Sequence, residues 1–299
     1  MAQPVAYLNG QWISAAEAAV SVNDLGFLLG ATVAERLRTF GGKLFRLEQH
    51  LQRLERSLAI VGISLHQSMD DLGEVATDLA RRNHALLAAG DDLNLSLFVT
   101  PGIAGANSPT VGMHTAPLPF GTWADEYDQG VPLVVSSVRH LPPDCLPPEL
   151  KCRSRMHYYL ADREALARQP HARALMLDRD DFVAETSTAN LLMFRESEGI
   201  VAPRLDKVLP GTSIAVLEEL AAGLGVPWSY RDIRLDELRA ADEVMLTSTS
   251  PCILPVVRID DGLISDGRPG DLYRRLLTAW SQLVGLDIQQ QAMSLARRC

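Results

Sequence analysis

Lysine is nearly missing from this chain: Lys43, Lys151 and Lys207 are the only three in 299 residues. Chemistry that requires a primary side-chain amine is confined to those positions, because an arginine guanidinium stays charged and cannot act as the nucleophile. Cysteine is scarce as well. Cys145, Cys152, Cys252 and Cys299 have neither zinc-like nor redox-pair spacing. A chain of this length does not need disulfides to fold, so they read as free thiols of a reducing cytoplasm. Positive charge is outweighed, with a formal net charge of -9 and a pI near 5.3, which disfavours nucleic acid and anionic membrane surfaces and leaves a small metabolite as the expected partner. No apolar run approaches the ~20 residues of a bilayer span. The N-terminus lacks the basic start and apolar core of a signal peptide, and there is no repeat or low-complexity tract.

What is present describes a globular protein. Hydrophobic residues make up 47% of the 299 positions, enough for about two domains of roughly 150 residues, each with its own core. Asn9-Gly10 between Tyr7 and Ile13 predicts an opening hairpin, and Gly41-Gly42 between Thr32–Thr39 and Lys43–Arg46 predicts a second. Leu47, Leu51, Leu54, Leu58 and Val61 recur at helical spacing over Arg46–Val61. A further helix is expected from Met69 to Ala88 and a strand from Leu93 to Thr100. From Gly102 to Gly130 periodicity fails, which predicts a loop and an interdomain linker. The expected division is a small α+β domain over 1–118, a linker over 119–130 and a larger α/β domain over 131–299. In the latter, Val131–Val138, Ala174–Leu177, Phe182–Glu185, Leu191–Phe194 and Glu243–Thr247 read as strands. Helices are expected over Met156–Arg168, from Thr212 to a stop at Gly225, and over 271–284.

Two of the lysines have ordinary explanations, Lys43 in a hairpin turn and Lys207 in the loop Pro203-Arg204-Leu205-Asp206-Lys207. Lys151 follows the rigid Pro142-Pro143 and Pro147-Pro148 loop and precedes Glu185 by 34 positions (185 − 151). Hydroxyls at a helix start behind a glycine, as in Leu209-Pro210-Gly211-Thr212-Ser213, leave backbone N–H groups aimed at an anion. Together with Asn23-Asp24-Leu25-Gly26-Phe27, Gly41-Gly42-Lys43-Leu44-Phe45-Arg46-Leu47-Glu48-Gln49-His50-Leu51-Gln52-Arg53-Leu54, Glu185-Thr186-Ser187-Thr188-Ala189-Asn190 and Thr247-Ser248-Thr249-Ser250, this set resembles the class IV, or fold-type IV, pyridoxal-phosphate enzymes. Those include branched-chain aminotransferases, D-amino acid aminotransferases and aminodeoxychorismate lyases. The resemblance spans nearly the whole chain.

It implies a two-domain fold with an α/β barrel-like larger domain, pyridoxal 5'-phosphate as cofactor in the cleft between the domains, and a homodimer. Lys151 would bond the cofactor aldehyde as a Schiff base and carry the proton at the substrate's alpha carbon. Glu185 would hold the ring nitrogen protonated. Arg53, Thr212, Ser213 and Thr249 would hold the phosphate, Leu209 would pack on the ring, and Glu35, Arg38 and Ser250 would face the substrate.

Bland readings stand beside these. Arg53 and His50 sit one turn apart on a helix, where both could be structural, and His50 is read so. Thr212 and Ser213 could be a plain helix cap. Glu35 and Arg38 could form a surface ion pair. Cys152, next to Lys151 on an extended segment, would point the other way and pack. The strand Leu93–Val99 lacks the arginine that branched-chain enzymes use for a second carboxylate. Ser108–His114 keeps only the histidine of an Arg-x-His trap. The expected reaction is amino transfer from an amino acid, branched-chain side chains favoured, to a 2-oxo acid. A lyase of the aminodeoxychorismate type, a D-amino acid aminotransferase and a non-catalytic binding protein remain as alternatives.

Overall fold

The computed structural model describes residues 3–106 and 108–297, so the free-thiol reading of Cys299 lies outside the described residues. Two compact units emerge: Met1–Leu118 with Glu149–Ser154, and Pro119–Pro148 with Arg155–Cys299.

In the first unit, strands β1 (Val5–Leu8), β2 (Gln11–Ser14), β3 (Val33–Phe40), β4 (Lys43–Leu44), β5 (Leu93–Thr100) and β6 (Thr110–Pro117) form a sheet in the order β2-β1-β6-β5-β3-β4. Both predicted hairpins form, with Asn9, Gly10, Gly41 and Gly42 all at positive φ as tight turns demand. A short helical turn, α1 (Leu25–Leu28), precedes β3. Helices α2 (Leu47–Val61) and α3 (Met69–His84) follow it in sequence. Gly62 at φ 68 ends α2, and Ser68 and Asp71 form a capping box that starts α3. Leu54, Leu58, Leu72 and Leu79 of these helices pack on Val33, Leu37, Leu95, Leu97, Val99 and Met113 of the sheet. Strand β6 falls in the stretch expected to be loop. Its alternation is hidden by Gly112 and His114, and it exists because β5 and β1 pair with it from both sides.

The second unit contains β7 (Val131–Val135), β8 (Arg173–Leu177), β9 (Val183–Thr186), β10 (Asn190–Arg195), β11 (Gly199–Ala202), β12 (Trp228–Tyr230), β13 (Glu243–Ser248), β14 (Cys252–Ile259) and β15 (Gly262–Leu263). They pair in the order β12-β11-β10-β13-β14-β7-β8-β9, with β15 on β14, as a mixed parallel and antiparallel sheet. Helices α4 (Glu126–Gln129), α5 (Met156–Arg168), α6 (Thr212–Gly223), α7 (Leu235–Arg239), α8 (Asp271–Val284) and α9 (Ile288–Leu295) complete it. The α/β expectation thus holds. Residues 119–130 fold into this unit: Phe120, Trp123 and Tyr127 are buried, and the Tyr127 hydroxyl donates to Pro251 O at 2.8 Å. Past the end of β7 at Val135, Glu164 of α5 accepts from the Ser136 hydroxyl at 2.7 Å and the Ser137 amide at 2.9 Å, while the Ser136 amide still donates to Leu175 O at 2.9 Å. Strand β14 is masked in the sequence by Pro255, which is tolerated because β7 begins pairing only at the next residue, Val256.

Candidate active site

The expected site residues divide between the units. In the first, Lys151 lies on a short extended segment laid along β3. Ala34 N–H donates to Lys151 O at 3.0 Å, Arg153 N–H to Thr32 O at 2.8 Å, and Val33 bridges Cys152 antiparallel. The Lys151 amide itself donates to Ser57 Oγ of α2 at 3.2 Å.

Arg53, on α2, is buried against Glu35 of β3. Its Nε reaches Oε1 at 2.8 Å and its Nη2 reaches Oε2 at 2.7 Å, a bidentate pair, while His50 Nδ1 lies 2.7 Å from the same Oε2. Burial opposes ionisation of Glu35, but the charge and hydrogen bonds of Arg53, with the hydrogen bond from His50, outweigh it and hold the carboxyl at about 2. His50 is pushed down from its ordinary value, by burial first and then by the charges of Arg53 and Lys151, against the pull of Glu35. Glu35 therefore faces α2. Arg38, three residues on, faces the opposite side of β3, fully buried, with its Nε donating to Thr39 O at 3.3 Å and its guanidinium 4.0 Å from the centre of the Phe40 ring. Strand alternation keeps these two expected substrate residues off a common face.

In the second unit, Glu185 near the end of β9 is 6% exposed and surrounded by donors. The Tyr158 hydroxyl of α5 donates to Oε1, His140 Nε2 is 3.3 Å from Oε1, and Asn190 Nδ2 reaches Oε2 at 3.2 Å. Asn190 Nδ2 also donates to Leu209 O at 2.8 Å, which ties β10 to the turn before α6. That turn favours glycine: a Cβ at Gly211 would lie 2.2 Å from Asn190 Oδ1 and displace an amide that is bonded to both Glu185 and Leu209. Gly211 caps α6 in extended conformation with no side-chain cap, so the first amides of the helix, at Thr212 and Ser213, keep their donors for another acceptor. Ser213 is buried and Thr212 half-buried. Thr249 and Ser250 sit half-buried in the β13–β14 turn, which is held by Thr247 Oγ1 donating to Cys252 O at 2.8 Å.

Sequence reasoning gave no role to His140, Tyr158 or Asn190. Asn190 stands within the quoted Glu185–Asn190 run and was within reach. His140 lies 45 residues before Glu185 and carries no local signal. Beside this group His157, its ring centroid 4.0 Å from that of Tyr158, is driven down to about 4 by burial and then by the charges of His140 and Arg155.

The family model for amino-transferase class IV matches residues 32–259. The chain belongs to the class IV aminotransferases. Among curated relatives, a D-alanine aminotransferase of Staphylococcus aureus (strain MW2) is 28% identical over 285 residues, covering 93% of this chain and 97% of that one. A putative branched-chain-amino-acid aminotransferase of Methanocaldococcus jannaschii is 28% identical over 277 residues, covering 90% and 93%. Among solved structures, the branched-chain amino acid aminotransferase of Escherichia coli superposes with a TM-score of 0.87 at 24% identity over 95% of both chains. A second branched-chain amino acid aminotransferase (T.th.), determined with pyridoxamine 5'-phosphate, gives 0.85 at 24% identity over 95% of both chains. At that identity the superpositions establish the fold alone. It is the fold-type IV architecture, and the chain is a pyridoxal-phosphate transaminase by family. Within the second unit alone, a buried carboxylate ringed by donors and an uncapped helix start behind a glycine suit the ring nitrogen and the phosphate of such a group.

Proposed function

We propose that this aminotransferase moves an amino group from an amino acid, branched-chain side chains favoured, to a 2-oxo acid. The buried, triply hydrogen-bonded carboxylate of Glu185 carries the reading. Pyridoxal phosphate, when bound, supplies an aldehyde and a ring that withdraws electrons from the substrate's alpha carbon. Lys151 would be the amine that holds the aldehyde, and its Nζ would carry the alpha proton. Glu185 would hold the ring nitrogen protonated, while Tyr158, His140 and Asn190 fix the carboxylate's orientation. Thr212, Ser213, Thr249 and Arg53 receive the phosphate, Arg53 oriented by Glu35 from the other edge of its guanidinium. Leu209 would pack on the ring, and Ser250 and Arg38 would border the substrate.

A D-amino acid donor is a second reading, supported by the D-alanine aminotransferases among the relatives. A homodimer in a reducing, cytoplasmic setting completes the proposal, the setting supported by Cys145 and Cys152 as free thiols. No helix among the described residues is long and apolar enough to cross a membrane.

The test is a panel of L- and D-amino acids added to cofactor-loaded protein, with loss of the visible cofactor absorbance as readout. Branched-chain donors should bleach it fastest, and borohydride reduction should leave the cofactor's mass on the peptide containing Lys151. No bleaching by any amino acid, or the mass on Lys43 or Lys207, refutes the proposal.

A further inference from the structure

The β13–β14 turn is held in a conformation that its own backbone does not favour. Ser248 of β13 pairs with Cys252 of β14, which leaves Thr249, Ser250 and Pro251 as the turn between them. At its exit the Ile253 amide donates to Pro251 O, two residues back, at 2.8 Å, and the residue between them, Cys252, has φ 66. That combination is the positive-φ form of the γ-turn, a rare and strained one. A glycine would adopt it freely. Of the seven non-glycine residues at positive φ among the described residues, only Cys252 is buried.

Such a conformation persists where its surroundings impose it. The carbonyls on either side of the Cys252 torsions each accept a buried side-chain hydroxyl: Tyr127 donates to Pro251 O at 2.8 Å, and Thr247 to Cys252 O at 2.8 Å. Pro251 itself has no N–H with which to close the turn. Tyr127, on α4, is 1% exposed and is fixed in its place. Its own carbonyl accepts from the Tyr273 hydroxyl of α8 at 3.1 Å, and the Tyr273 amide donates to Glu243 Oε2, at the start of β13, at 2.9 Å. A buried brace thus runs from one end of β13 to the other through Glu243, Tyr273, Tyr127 and Pro251. The end of α4 is seated tightly on β14, for a Cβ on Gly130 would stand 2.2 Å from Val257 Cγ1.

We infer that Tyr127 is a positioning residue: it acts through the Pro251 carbonyl to keep the β13–β14 turn, and Thr249 with it, where a cofactor's phosphate is received. The inference rests on the transaminase reading, which supplies the phosphate, and it gives a task to 119–130, the stretch expected to be a linker. A hydrogen bond that biases the turn between a set and a relaxed conformation can shift affinity by no more than its own worth.

Fluorescence titration of the full-length apoprotein with pyridoxal 5'-phosphate tests it, with pyridoxal as the control that lacks the phosphate. Tyr127→Phe keeps the ring and leaves Pro251 O its bond from Ile253, so that buried acceptor is not orphaned. The variant should bind pyridoxal 5'-phosphate about three- to tenfold more weakly and pyridoxal within about twofold of wild type. Thr247→Val, which removes the other hydroxyl, should show the same selective loss, and the phosphorus resonance of the bound cofactor should shift in both variants. Unchanged pyridoxal 5'-phosphate affinity in Tyr127→Phe overturns the inference. So does an equal loss for the two ligands, the mark of a fold that is merely destabilised. Should Tyr127→Phe fail to fold by circular dichroism, Thr247→Val carries the same test. Wild-type protein that takes up no pyridoxal 5'-phosphate refutes the transaminase reading instead, a result visible before any variant is made.

Discussion

Replacing Glu35 by glutamine removes its negative charge from a buried cluster that contains Arg53, 4% exposed, and His50, 2% exposed. Three close contacts hold that charge, at 2.8, 2.7 and 2.7 Å. Removing one member of a buried ion pair costs about 3–5 kcal/mol. The pH dependence gives an independent figure. The carboxyl titrates at about 2 in the folded chain against an ordinary 4.5, so the unfolded chain takes up a proton over a range where the folded one does not. The stabilisation is complete above pH 4.5 and is lost as pH falls through about 2. At about 1.4 kcal/mol per unit the difference amounts to about 3 kcal/mol. Urea unfolding at pH 7 should therefore place Glu35→Gln about 3–5 kcal/mol below wild type, and between pH 4.5 and 2 the gap should narrow as wild type gives up this contribution. Pairing Glu35→Leu with Arg53→Met should recover much of the loss, because a buried ion pair is often no more stable than an apolar pair of similar volume. A loss below about 1 kcal/mol at pH 7, or a gap that stays constant down to pH 2, would refute the reasoning.

Other perturbations have equally definite outcomes. Gly211→Ala would drive a methyl group into Asn190 Oδ1. It should lower cofactor affinity more than thermal stability, as measured by fluorescence titration of the apoprotein beside a melting curve. Tyr158→Phe removes one donor to Glu185 and should weaken cofactor binding about tenfold, with an altered absorption band as its signature. Lys151→Ala should abolish amino transfer, checked by coupled assay, while the melting temperature of the apoprotein moves little. Gly112→Ala, forced against Phe98, should cost about 1–3 kcal/mol in urea unfolding.

The sequence disclosed what local rules govern. Asn9-Gly10 and Gly41-Gly42 demanded left-handed turns, and the leucine spacing of α2 demanded a buried face; both appear. Strand β6 stayed hidden because its pairing with β1 and β5 is a long-range event and its residues, with Gly112, His114 and Pro117, have poor strand preference. The opposite facing of Glu35 and Arg38 was readable from a period of two. What no spacing could reveal was that α2 presents Arg53 to Glu35, or that His140 and Tyr158 converge on Glu185 from separate stretches of chain. Such convergence belongs to topology.

The strip laid along β3 by Lys151 and its neighbours has a practical corollary. The polypeptide leaves the first unit after Leu118, returns for six residues, 149–154, and departs again. A fragment cut at Leu118 would be deprived of its outermost extended piece, baring the Ala34 amide and the Thr32 carbonyl along an unguarded sheet margin. Such a truncate should self-associate through that margin. A circular permutant that supplies 149–154 in cis should remain monodisperse.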